Sequence, residues 1–279
     1  MKTAHWKRQV AAGLVGIVMA TAGLAQERGT IPKDLLDDEH VREELAVNAF
    51  TAPSISKIFS QLDALSPLPV ADVEREMPAR MPLDRADLAV ELGFLIADGF
   101  LIVQSGELGK VESLAKDLSR YGKALGAGDR VNRHSAALLE SAKKGKVDEL
   151  KKELAATQKD VEADLLELRD ADLAHLISLG GWVRALEVAS TAVNKDFTPK
   201  RAKQLMRPDI ADYYEYSVGT LEPRISERPS FIQLREVLLR LRKHMTLPED
   251  KEPTPEMVAA IRKDSAELVK LALTRAGNG

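Results

Sequence analysis

The chain contains no cysteine among its 279 residues. That absence excludes disulfides, thiolate catalysis, Cys-ligated zinc, iron–sulfur clusters and c-type haem attachment. Aromatic residues amount to only 4%, and no run alternates apolar and polar positions with β-branched enrichment, so no sheet is expected. Gly-x-Ser-x-Gly, a Walker loop and Gly-x-Gly-x-x-Gly are all missing. Past the leader the only histidines are His40, His134, His175 and His244. No two of them stand three or four apart, and neither His-Glu-x-x-His nor the Glu-x-x-His of di-iron bundles occurs. No metal and no cofactor is therefore expected; haem held by His and Met has no positive sign. Proline is absent from Leu83 to Thr198, although the chain has 13 in all. Proline inside a helix costs about 3 kcal/mol, so this gap is where consecutive helices belong.

Against those absences stand 44% hydrophobic and 30% charged residues, enough for a packed core and too apolar for bulk disorder. The first 25 residues read as a secretory signal. Lys2, Lys7 and Arg8 form a basic start, Val10 to Ala20 an apolar run, and Gly23-Leu24-Ala25 a small-residue cleavage site before Gln26. The run is shorter than the roughly 20 residues that span a bilayer. No Cys follows for lipid attachment. Cleavage after Ala25 removes three of the 40 basic residues and none of the 43 acidic ones, taking the net charge from −3 to −6. A mildly acidic chain suits neither nucleic acid nor anionic membrane. The expectation is a periplasmic or secreted bacterial protein, soluble and without a transmembrane segment after cleavage.

Helices are expected at 34–47, from Pro53 to about Leu65, at 84–105, 111–125, 130–144, 147–168 and 171–193, and then around 200–206, 209–217, 230–245 and 254–276. Ile55, Ile58, Phe59, Leu62 and Leu65 form a one-sided stripe. Residues 66–83, with four prolines, read as an irregular crossover, and Gly219, Pro223 and Pro229 as loop. Asp84–Ser105 is almost wholly apolar from Leu88 to Val103, as is 171–193, so both should be buried on most sides. Small residues (Gly93, Ala97 and Gly99; Gly180, Gly181 and Ala185) let their backbones approach and mark them as the central pair. Ala86-Asp-Leu-Ala89 recurs as Ala171-Asp-Leu-Ala174. Chance likeness of two buried helices explains this, or else a duplicated helical hairpin with pseudo-twofold packing. The fold expected is an all-α, mostly antiparallel bundle of about eight or nine helices. Residues 26–279 make a single domain, with a core at 84–194 wrapped by helices within 33–65 and 199–276.

Glu91-Leu-Gly-Phe-Leu-Ile-Ala-Asp-Gly99 and Leu179-Gly-Gly-Trp-Val-Arg-Ala-Leu-Glu187 resemble the paired glycine-containing helices of uncharacterised exported all-helical bacterial proteins. The likeness implies a helical bundle and no particular activity. The first hairpin, with Leu92, Gly93, Gly106, Tyr121 and Gly126, is also similar to a tetratricopeptide unit, but later helices do not keep that period.

Asp87, Glu91 and Asp98 are the sharpest polar feature, because their offsets put them within about 40° on one helix face. Carboxylates in a buried helix are expensive unless paired. The expected pairing is with Arg or Lys of neighbouring helices, Arg184 among them. The functional alternatives are a metal or cofactor site completed by His175 across the pair, or an envelope hydrolase using the same carboxylates. Tyr213, Tyr214 and Tyr216 form a candidate partner patch, although packing onto the bundle is the plainer use. The basic helix with Arg235, Arg240, Arg242, Lys243 and His244 is expected to be a solvated face paired with acids. Together these features point to a non-catalytic binding or scaffold protein, its partner an unknown protein or small molecule.

Overall fold

Asp84 opens the first long apolar helix as an N-cap, its carboxylate accepting the backbone N–H groups of Ala86 and Asp87. Gly106, at φ 76°, closes it in the left-handed conformation that glycine adopts without strain. The computed structural model describes residues 55–75, 80–168 and 170–275, all within one compact unit. Along them run α1 (Ile55–Leu62), α2 (Val70–Val73), α3 (Arg85–Ser105), α4 (Val111–Leu125), α5 (Gly128–Lys143), α6 (Val147–Glu167), α7 (Ala171–Lys195), α8 (Pro199–Ala202), α9 (Pro208–Thr220), α10 (Pro223–Ser226), α11 (Pro229–Met245) and α12 (Pro255–Ala272). Single 3₁₀ turns follow at Asp63–Leu65, Leu108–Lys110 and Lys203–Leu205. Among the described residues there is no strand, and the protein is an all-α helical bundle.

Cross-links between helix ends give the chain direction. The Arg85 guanidinium, at the start of α3, donates to the Leu125 carbonyl at the end of α4. Arg130, early in α5, meets Asp164 near the end of α6 at 3.1 Å. The Glu222 N–H, just past α9, donates to Asp172 at the start of α7. Arg275, past α12, reaches Glu91 near the start of α3. Successive long helices therefore alternate in direction, as short connections require. The central pair is the exception. Arg85 meets Asp170 at 2.7 Å, and Asp98 meets Arg184 at 2.7 Å some thirteen residues further along both helices. So α3 and α7 run parallel, because the three helices between them return the chain to its first direction. Their like-oriented dipoles put two positive ends together, and Asp84, Asp87 and Asp172 stand there.

The pair packs backbone to backbone. A Cβ at Gly93 would overlap the Ile177 carbonyl oxygen and lie 2.8 Å from the Gly181 nitrogen, and one at Gly180 would overlap the Val90 carbonyl oxygen. Around this seam α12 packs on α7, α4 packs on α3, α6 touches both, and α9 meets α7 through Tyr213 on His175 and Tyr214 on Ser178 and Trp182. Val111, Leu114, Ala115, Leu118, Tyr121 and Leu125 turn the buried stripe of α4 inward. Of the described helices, only α7 is long and apolar enough to cross a membrane, and 94% of its most apolar window is buried inside the bundle.

Several boundaries differ from the sequence-based expectation. The crossover holds one helical turn, α2, whose Val73 is buried. Pro223 and Pro229 are the first residues of α10 and α11, not loop markers. The last helix stops at Ala272, short of 276. The helix expected at 34–47, residues 1–25 with the cleavage site, and His40 lie outside the described residues.

Candidate functional site

The acids of α3 do share one face and are buried, yet they make no common centre. Asp87 and Asp98 stand eleven residues apart, which is about 16 Å along a helix. Each carboxylate therefore meets a different part of the chain. Asp87 pairs with Arg228 at 3.0 Å, and the same guanidinium reaches Asp84 at 2.8 Å. Burial works against the Asp84 charge, but Arg228 and the capped N–H groups hold its carboxyl below the ordinary range. Glu91 accepts from Tyr121 Oη at 2.5 Å and from Arg275 at 3.0 and 3.1 Å. Burial first, and then the hydrogen bond to Glu91, pushes the Tyr121 phenol well up.

Asp98 sits in the densest cluster. Its two oxygens accept from Arg184 Nε and Arg75 Nε, each at 2.7 Å. Arg184 is 2% exposed and spends its other nitrogens on Glu187 at 2.5 Å and on the Val73 carbonyl at 2.6 Å. Burial disfavours that guanidinium charge, and Asp98 with Glu187 more than restores it, so its pKa lies above the usual arginine value. The one-turn helix α2 thus has a use that its sequence does not display, since its last carbonyl closes the Arg184 donor set.

His175 does not join the acids. Ile177, Gly181 and Arg184 face α3, and a residue two positions from Ile177 points about 200° away. His175 instead meets Tyr213 Oη at 3.1 Å on α9. Burial lowers its pKa below 6.5, with Asp172 opposing. Among the described residues no group of three His, Asp or Glu side chains could hold a metal ion.

The tyrosines likewise do not form one patch. Tyr214 is buried, its hydroxyl on Ser178 at 2.8 Å and its ring 4.9 Å from Trp182. Tyr213 lies half-buried on His175 and Tyr214, and Tyr216 alone is 70% exposed. Helical periodicity splits them, because residues 213, 214 and 216 of α9 cannot share a face. Four of the five cations named on the basic helix α11 pair with acids: Arg235 with Glu215, Arg240 and His244 with Asp264, and Arg242 with Asp212.

What the Asp98 cluster borders is a cleft of about 460 Å³. Val70, Leu101, Ile102 and Leu114 form its apolar wall, and Arg75, Asp98, Arg184 and Lys110 its polar side. Arg75 lies 5.1 Å over the Phe94 ring, and its Nη2 has no hydrogen-bond partner. Lys110 pairs with Glu107 and Glu74 at the rim. Arg75, Lys110 and the cleft itself carry no sequence motif.

The fold and cleft define a helical bundle with a mixed-charge cleft against the buried Arg184 and the half-buried Arg75. Compared with protein-family models, with curated proteins and with solved structures, the chain matches none.

Proposed function

We propose that this is an exported, non-catalytic binding protein, soluble once a leader ending at Ala25 is removed. Its ligand site is the cleft beside Arg75, Asp98 and Arg184, and the ligand is a small organic carboxylate with an apolar portion. One observation carries this reading: two guanidinium groups, Arg75 and Arg184, line a cleft with an apolar wall, and the Arg75 Nη2 has no hydrogen-bond partner. A buried donor left unpaired is unfavourable by about 1–3 kcal/mol, and an acceptor oxygen from a ligand would recover that. Clefts of this size and mixed lining are the usual small-molecule sites. The pairing of Asp87, Glu91 and Asp98 with arginines supports the non-catalytic reading, since these carboxylates are already engaged by structural partners in different parts of the chain.

Thermal unfolding with a panel of succinate, citrate and benzoate tests the proposal. At least one should raise the Tm of the wild type in a concentration-dependent manner and leave Arg75→Met unmoved. Equal shifts in both proteins, or none in either, count against it. The leader is checked separately by mass spectrometry of the protein recovered from a bacterial envelope fraction, where a mature chain should begin at Gln26.

A further inference from the structure

A second hollow lies on the other side of α7, and it shares no lining residue with the cleft just described. Its volume is about 410 Å³. Trp182, Ala185 and Ala189 stand three and four residues apart on α7, so they share one stripe. The two alanines leave open the space that larger side chains would fill. Ile58, Leu62 and Leu65 from the α1 region and Met245 from the end of α11 complete the walls. Protein interiors otherwise close such spaces to near-crystalline density. Among the described residues the polar lining is Lys203, Gln204 and Arg207, with no acid. Lys203 and Arg207 do have carboxylate partners: Glu252 at 2.8 Å, an exposed pair of the weak kind, and Asp209, which Arg207 Nε and Nη2 hold together at 2.9 and 2.7 Å on the exposed side. An aliphatic interior with two cations and no acid is complementary to one ligand chemistry.

We infer that this hollow binds a single-chain aliphatic carboxylate, its chain along Trp182, Ala185 and Ala189 and its head at Lys203 and Arg207. The inference does not rest on the function proposed for the cleft, and a different set of residues tests it.

In the full chain carrying Trp6→Phe, Trp182 is the sole tryptophan and reports directly on the hollow. Titration with monomeric dodecanoate should shift Trp182 emission saturably and raise Tm with probe concentration. Ala189→Phe fills the space and should abolish the emission shift. The double substitution Lys203→Met with Arg207→Met lies at the exposed mouth and keeps the test open should Ala189→Phe not fold. It should weaken dodecanoate by about tenfold, the scale of one lost charge-assisted hydrogen bond, and leave dodecanol unchanged. The inference is overturned if no saturable shift occurs, if binding survives in folded Ala189→Phe, or if dodecanol binds the wild type as tightly as dodecanoate. It is also overturned if Trp182 emission changes with protein concentration alone, which would assign the surface to a second copy of the chain.

Discussion

Arg184 is almost wholly buried and has a partner for each of its three nitrogens, in three different elements. Removing its charge leaves Asp98 with Arg75 alone and leaves Glu187 and the Val73 carbonyl short of a donor. Breaking a buried pair at one end typically costs about 3–5 kcal/mol. Arg184→Met should therefore lower the unfolding free energy by about that much, read from urea midpoints. Arg184→Met with Asp98→Leu should lose less than the two single changes added together, because each single change breaks the same Asp98–Arg184 bond and the double change breaks it once. Strict additivity would mean that the pair is not coupled. His175 supplies a pH-dependent case. Its folded pKa is held below the ordinary 6.5 by burial. The unfolded chain thus takes up a proton that the folded chain resists. Stability from this residue is complete above pH 6.5 and declines as pH falls from there toward the folded value, by at most about 1.4 kcal/mol per pH unit for one proton. The fall in urea midpoint between pH 7.5 and 5.5 should be smaller in His175→Gln than in the wild type, and parallel profiles would contradict the assignment.

At the level of elements, the α3–α7 seam sets the shape of the core, and it depends on glycine. The Gly93 Cα faces backbone of α7, which cannot rotate aside as a side chain can. Gly93→Ala should therefore separate the helices and cost about 3 kcal/mol, the upper end of overpacking effects. Gly109→Ala, which meets nothing within 4 Å, should be near neutral or stabilise by up to about 1 kcal/mol. Similar melting temperatures for the two variants would refute the close-packed seam. The seam was legible in the sequence, because two nearly all-apolar stretches each carried small residues. Its parallel sense was not, since direction follows from counting the helices between, with no residue to mark it. Proline reads differently in the two halves of the chain. In the first half it breaks the crossover, whereas Pro199, Pro208, Pro223, Pro229 and Pro255 each stand in the first turn of a helix. There the missing N–H removes no helical bond and the fixed φ suits the helix. Pro223 and Pro229 belong to this second kind, and for that reason they open helices and mark no loop.

For the molecule as a whole, the acid row of α3 is a spine to which distant segments are tied. Asp84 and Asp87 hold Arg228, Glu91 holds Arg275, and Asp98 holds Arg75 and Arg184. The acids were recognisable from helical spacing alone. Apart from Arg184, their partners were not, because residues 141 and 184 positions away share no local pattern with them. The two hollows were equally hidden, since a cavity is made by what several elements fail to fill. The spine makes the stability of the C-terminal segment separable from that of the core. Arg275 donates to Glu91 and to the Arg80 carbonyl at 2.6 Å, which fastens the end of α12 to the start of α3. Glu91→Gln weakens that fastening and the Tyr121 hydrogen bond together, by about 1.5–3 kcal/mol for bonds to a charged group. Hydrogen exchange should then quicken first in the last two turns of α12 and around Tyr121. The α3–α7 seam, which keeps its glycine contacts and the Asp98 cluster, should stay protected to near the global limit. A uniform rise across α7, α11 and α12 would show instead that Glu91 supports the whole bundle evenly and that the C-terminal helix has no separate tether.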